Sequence, residues 1–116
     1  MIARSWRGAV RTADAEAYAA YIDETGMKEY AGTPGNRGAW MLTREIHRGA
    51  AAPQDPPLLG ELTEFVTFSL WDSYEAIKGF AGEDYETAVF YPEDDRYLVE
   101  RDPVCTHWEV VRTAGG

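Results

Sequence analysis

Cysteine, histidine and serine, the side chains that carry most nucleophilic and metal chemistry, are scarce in this chain. Its single cysteine, Cys105, excludes an internal disulfide framework and any thiolate metal cluster assembled within one chain. The two histidines, His47 and His107, lie far apart, with no His-x-His pair and no acid-rich loop of calcium type, so no metal centre is expected. None of the three serines, Ser5, Ser69 and Ser73, sits in a Gly-x-Ser-x-Gly elbow, which leaves hydrolase chemistry without an anchor. Positive charge is also short. Eleven Lys and Arg face 20 Asp and Glu, and the net charge of −9 repels a phosphate backbone, so no nucleic acid partner is expected. No apolar run approaches the ~20 residues that cross a bilayer. The stretch Met1 to Arg7 lacks the core of a signal peptide, so the expectation is no membrane and a cytoplasmic location.

What is present suits one compact domain spanning residues 1–116. The 45% hydrophobic and 13% aromatic content supplies a core, and the 27% charged fraction keeps its surface wet. Ile2 to Val10 reads as a first strand, followed by an alanine-rich helix from Ala13 in which Ala17, Tyr18, Tyr21, Ile22 and Thr25 share a face. Gly26 ends that helix early, or Met27 to Tyr30 extend it to the Gly32-Thr33-Pro34-Gly35-Asn36 turn. Arg37 to Arg48 alternates as strand two, with Gly38, Trp40, Leu42, Arg44 and Ile46 on one face. A proline-rich surface loop, Gly49 to Gly60, leads to a central strand, Leu62 to Trp71. Asp72-Ser73-Tyr74-Glu75 predicts a capping box in which Asp72 caps a second helix that Gly82 closes. Two short helical pieces are expected at Tyr85 and Pro92, and Val104 to Arg112 forms the last strand.

The order is therefore that of an α+β, ferredoxin-like βαββαβ chain: a four-stranded antiparallel sheet with both helices on one face. The four tryptophans, Trp6, Trp40, Trp71 and Trp108, fall one in each strand, and the seven tyrosines fall in or beside helices, where their hydroxyls can stay wet. One sheet face is left bare. The same face of a second copy is its simplest cover, which predicts a homodimer packed sheet to sheet.

Several segments resemble the antibiotic-biosynthesis-monooxygenase-like proteins of the dimeric α+β barrel superfamily. They are Ile2-Ala3-Arg4-Ser5-Trp6-Arg7-Gly8, Pro34-Gly35-Asn36-Arg37-Gly38, Phe65 to Ser73, Phe80 to Tyr85, and His107-Trp108-Glu109-Val110-Val111. The resemblance covers nearly the whole chain and rests on the order of these motifs. It implies a ligand cleft between sheet and helices and, as in characterised members, oxygenation of an electron-rich aromatic without metal or flavin, so the cofactor expectation is none. Heme-degrading relatives use a tryptophan late in strand three, an asparagine in strand one and a histidine after helix two. Trp71 resembles the first; Ser5 stands near the second position, and Tyr85 to Tyr91 contains no histidine, so heme degradation is not implied.

Trp71 is the first site candidate, because a flat ring at a strand-to-helix junction can stack on a planar ligand; the competing reading is core. His107 is the general-base candidate, since an unperturbed value of ~6.5 lets it accept a phenolic proton near neutral pH; a structural histidine is the alternative. His107 shares a strand face with Cys105 and Glu109, opposite Trp108. Tyr85 and Arg4 or Arg7 are candidates to orient a phenolate, with Ser5 beside them, against a plain reading as solvated residues. His47 reads as solvated. The expected function is thus a cofactor-independent monooxygenase acting on an electron-rich, polyketide-type aromatic. The alternatives are a non-redox small-molecule binding or accessory module, and a cyclase or isomerase on the same fold.

Overall fold

The computed structural model describes residues 1–46 and 61–115; His47 and the loop Gly49 to Gly60 lie outside them. Strand β1 (Ile2–Arg11) is central, and β3 (Leu62–Trp71) runs antiparallel along all of it, from Ile2 opposite Trp71 to Arg11 opposite Leu62. On the far side of β3 lies β2 (Asn36–Ile46), with Trp40 opposite Phe68 and Leu42 opposite Val66. The other edge of β1 is shared: β4 (Leu98–Arg101) pairs with Gly8 to Val10, and β5 (Thr106–Glu109) pairs with Ile2 to Ser5. The order β2-β3-β1-β4, antiparallel throughout, is the anticipated ferredoxin-like sheet with its last strand broken in two.

That break is the main departure from the sequence expectation. Leu98 to Arg101 has only four residues, too few for alternation to register, yet Leu98 is buried on the helix side and its neighbours complete the ladder of β1. Asp102-Pro103 then interrupts pairing, and the last strand is four residues long rather than the predicted nine. Only one of the two expected helical pieces forms, α4 (Asp94–Tyr97); Tyr85 lies in a turn, which Asp84 holds by accepting from the Thr87 hydroxyl at 2.7 Å.

The first helical arm begins with a 3-10 turn, Thr12–Asp14, and continues as α1 (Ala15–Ile22). At Gly26 the helix neither stops nor stays regular: Asp23–Met27 form a π-helical turn and the chain runs on as α2 (Lys28–Gly32). Helix α3 (Tyr74–Ala81) starts one residue later than the capping box predicted. Ser73, not Asp72, is the N-cap, its hydroxyl accepting from the Ala76 amide at 3.1 Å. Asp72 is drawn away by the Arg37 guanidinium, which binds it through Nε at 2.5 Å and Nη2 at 3.1 Å. Gly82 closes α3 at φ 87°, a conformation that side chains rarely adopt.

Both helical arms cover the same sheet face, as predicted. Val10, Tyr18, Ile22, Phe65 and Leu98 pack under α1, and Ile2, Tyr30, Trp71 and Ile77 pack between α2 and α3. Complete burial of such side chains contributes about 1.5–3 kcal/mol each. The tyrosines differ from expectation. Tyr18 and Tyr30 are 1% and 7% exposed, turned inward rather than wet. On the opposite face Trp40, Leu42 and Trp108 are 47%, 51% and 55% exposed, and an ion cluster crosses it in which Arg7 and Arg44 both bind Glu64. No helix among the described residues is long and apolar enough to cross a membrane.

Candidate functional site

Alternation along β1 sends Ile2, Arg4, Trp6, Gly8 and Val10 toward the helices and Ser5 and Arg7 away from them. Gly8 gives Trp6 its place: a Cβ there would stand 2.5 Å from Cη2 of the indole, so only glycine lets the ring fold back over the strand. The Trp6 N–H is fixed by the Asp102 carbonyl at 2.8 Å. Above this row the helix widens into its π turn, a device that recurs where helices pass functional sites.

Between them is a cavity of about 40 Å³ walled by Trp6, Tyr18, Tyr30, Phe80 and Tyr91, with Arg4 and Asp94 as its charged members. Asp94, 4% exposed, accepts from the Tyr18 hydroxyl at 3.0 Å and the Tyr91 amide at 2.6 Å, tying α1 to the segment that covers the cavity. Burial, with Asp94 adding to it, pushes the Tyr18 hydroxyl far above its ordinary range, so it stays protonated and donates to Asp94. Burial also raises Tyr30, against hydrogen bonding from Thr67 and Arg4.

Arg4 is 2% exposed. Its Nη1 donates to the Tyr85 carbonyl at 2.5 Å and to His107 Nε2 at 2.9 Å, while Nε is buried without a partner. Among the described residues no ion pair includes Arg4. Because a guanidinium only donates, His107 Nε2 must accept, which leaves the imidazole neutral with its proton on Nδ1. Burial first, and the Arg4 charge second, hold His107 below its ordinary value, with Glu86 opposing. His107 lines an outer cleft of about 370 Å³ with Tyr74, Tyr85 and Glu86, its ring meeting Tyr85 edge-on at 5.2 Å. Cys105 lines both spaces; burial raises its thiol.

The structure therefore brings His107 and Tyr85 together, joined through Arg4. Trp71 is fully buried behind the cavity wall, its N–H on Ser69 Oγ at 2.9 Å and its ring 6.0 Å from Tyr30 and 5.9 Å from Phe80. Ser5 and Arg7 lie on the other sheet face, where Arg7 binds Glu64 and Glu100. Sequence reasoning left Arg4 and Arg7 as equals and missed Trp6, Tyr18, Tyr30 and Asp94. The signal for Arg4 was its parity, since it shares a face with Ile2, Gly8 and Val10, where a solvated arginine has no place. Among the described residues no group of three or more His, Cys, Asp or Glu side chains is arranged to hold a metal ion.

The chain has the fold of the antibiotic-biosynthesis-monooxygenase-like proteins. A proposed antibiotic biosynthesis monooxygenase from Bacillus cereus superimposes with a TM-score of 0.64 at 14% identity, over 100% of this chain and 96% of that one. A variant of MhuD, crystallised with two manganese protoporphyrin IX molecules per active site, superimposes with a TM-score of 0.55 at 16% identity over 100% of both chains. No family model matches the sequence, and no curated protein matches it significantly. A heme does not fit the residues present here: no histidine lines the inner cavity, so its wall lacks the imidazole that would hold the iron.

Proposed function

We propose that this chain is a cofactor-independent monooxygenase of electron-rich aromatic molecules, working as a homodimer that packs sheet to sheet. The observation that carries the reading is the aromatic-walled cavity under the helices, linked through one buried arginine to a neutral histidine. Aromatic walls favour a flat, apolar ligand, and a histidine kept unprotonated is in the form that removes a proton. For Nε2 to do so, it exchanges the Arg4 N–H for the hydroxyl or activated C–H of the substrate.

The oxidation balances without a prosthetic group. An anthrone-type substrate loses a proton to His107, and its anion passes one electron to dioxygen. The radical pair then joins at carbon as a hydroperoxide, and loss of water leaves a quinone carbonyl. One oxygen atom ends in the product and the other, with the two hydrogens of the methylene, in water. The protein's part is to desolvate and orient the ring. A cavity of roughly 150 Å³ accommodates benzene, so a polycyclic substrate needs more than the observed space of about 40 Å³ and would enter by moving the lining segment Val89, Phe90 and Tyr91 aside.

The test is dioxygen uptake with anthrone and polyphenol substrates, without added metal or flavin. Turnover that His107→Ala removes supports the reading. No uptake with any substrate of the panel overturns it, and product formed equally without air assigns the site to cyclisation or isomerisation instead.

A further inference from the structure

We infer that Arg4 makes the inner cavity a receptor for an ionised aromatic oxygen, a phenolate in chemical class, bound at the unpartnered Nε–H of its guanidinium. This rests on the reading above and names the substrate group that the site holds. A guanidinium stays charged at every relevant pH, and a buried charge without a counter-ion is strongly unfavourable. Arg4 is 98% buried by its 2% exposure, yet both groups its Nη1 serves, the Tyr85 carbonyl and His107 Nε2, are neutral.

The titratable groups around it do not supply the missing anion. Tyr30 on α2 and Cys105 before β5 are held in their neutral forms by burial, and His107 on β5 is neutral by its hydrogen bond. Asp94 on α4 lines the same cavity but makes no ion pair with Arg4; its two carboxylate oxygens are taken by the Tyr18 hydroxyl and the Tyr91 amide. Glu86 lines the outer cleft, on the His107 side of Arg4. Glu64 faces the opposite side of the sheet, bound by Arg7 and Arg44, and Glu100 is bound there by Arg7. Among the described residues no anion therefore reaches the Arg4 guanidinium, and its Nε–H stays open to a ligand's negative oxygen. Trp6, Tyr18, Tyr30 and Phe80 around a single cation select a flat ring carrying one negative oxygen rather than a phosphate ester.

An uncompensated buried cation also costs stability, so function and stability are set against each other at this residue. Arg4→Met should fold with an unchanged or higher melting temperature. The probe is 4-nitrophenol, whose phenol and phenolate absorb at different wavelengths, with 4-nitroanisole as the uncharged control. Wild type should bind the phenolate and lower the pH at which bound nitrophenol ionises by at least one unit, a tenfold preference for the anion. Arg4→Met should lose that shift and bind nitroanisole as wild type does. Should Arg4→Met not fold, Arg4→Gln serves the same comparison. No saturable binding by wild type, or an equal shift in the variant, overturns the inference. Dioxygen uptake separates it from the reading it rests on: phenolate binding without turnover leaves Arg4's role standing and removes the oxygenase, while full turnover in Arg4→Met does the reverse.

Discussion

At the scale of single residues, His107 is governed by what it touches. Burial and Arg4 hold it below the ordinary value of ~6.5. A base of this kind works while unprotonated, so the rate should stay level as pH falls through 6.5 and decline only below it, as a pH-rate profile of the wild type would show. The sign for stability is the same. A folded value below the unfolded one gives stability that is present above ~6.5 and lost as pH falls toward the folded value. Trp71 has a different part to play. Its indole is fully buried and bound to Ser69, so Trp71→Phe should cost about 1–2 kcal/mol in a denaturant titration and change nitrophenol affinity less than twofold. Trp6→Ala, which removes a cavity wall, should weaken that affinity at least fivefold.

At the scale of elements, caps and interruptions decide more than propensity. Asp72 and Ser73 both suit the N-cap of α3, and the sequence alone favoured the first through the Asp72-Glu75 spacing. The tertiary partner Arg37, the second residue of β2, takes Asp72 and leaves the cap to Ser73. Ser73→Ala should therefore lower stability by about 1 kcal/mol, roughly 4 °C in melting temperature, and Asp72→Asn by less. The π turn at Asp23–Met27 was equally hidden. Periodicity registered Gly26 as a flaw in the helix, whereas in the structure the helix widens there instead of ending, with Gly26 lining the cavity. The short β4 was missed because four residues carry too little pattern; it exists because β1 has an edge to pair.

At the scale of the whole molecule, the proposed homodimer is tested on the sheet face turned away from the helices. Trp40 and Trp108 are about half exposed on it, so Trp40→Glu should convert a homodimer to monomers in sedimentation velocity at micromolar concentration. A wild type that is monomeric there would remove the assembly from the proposal. The ion cluster on the same face adds a pH dependence. Arg44 first, then Arg7, hold Glu64 below the ordinary glutamate range against the effect of burial. The stability this gives is complete above ~4.3 and disappears as pH falls through the lower folded value. Glu64→Gln should flatten the acid side of a melting-temperature profile.

The βαββαβ order, the antiparallel sheet and the two faces of β2 were legible in the sequence, because hydrophobic periodicity is local and each face repeats every second residue. The strand face shared by Cys105, His107 and Glu109 was legible too. Which side of the sheet that face meets was not: local pattern distinguishes the two faces of a strand without saying which one the helices cover. Only the tertiary structure put Arg4 and Trp6 inside with His107 and turned Ser5 and Arg7 outward, because the crossovers commit both helices to one side of β1. Strand parity thus sorts the candidates, and the packing of helices on the sheet decides which set meets the ligand.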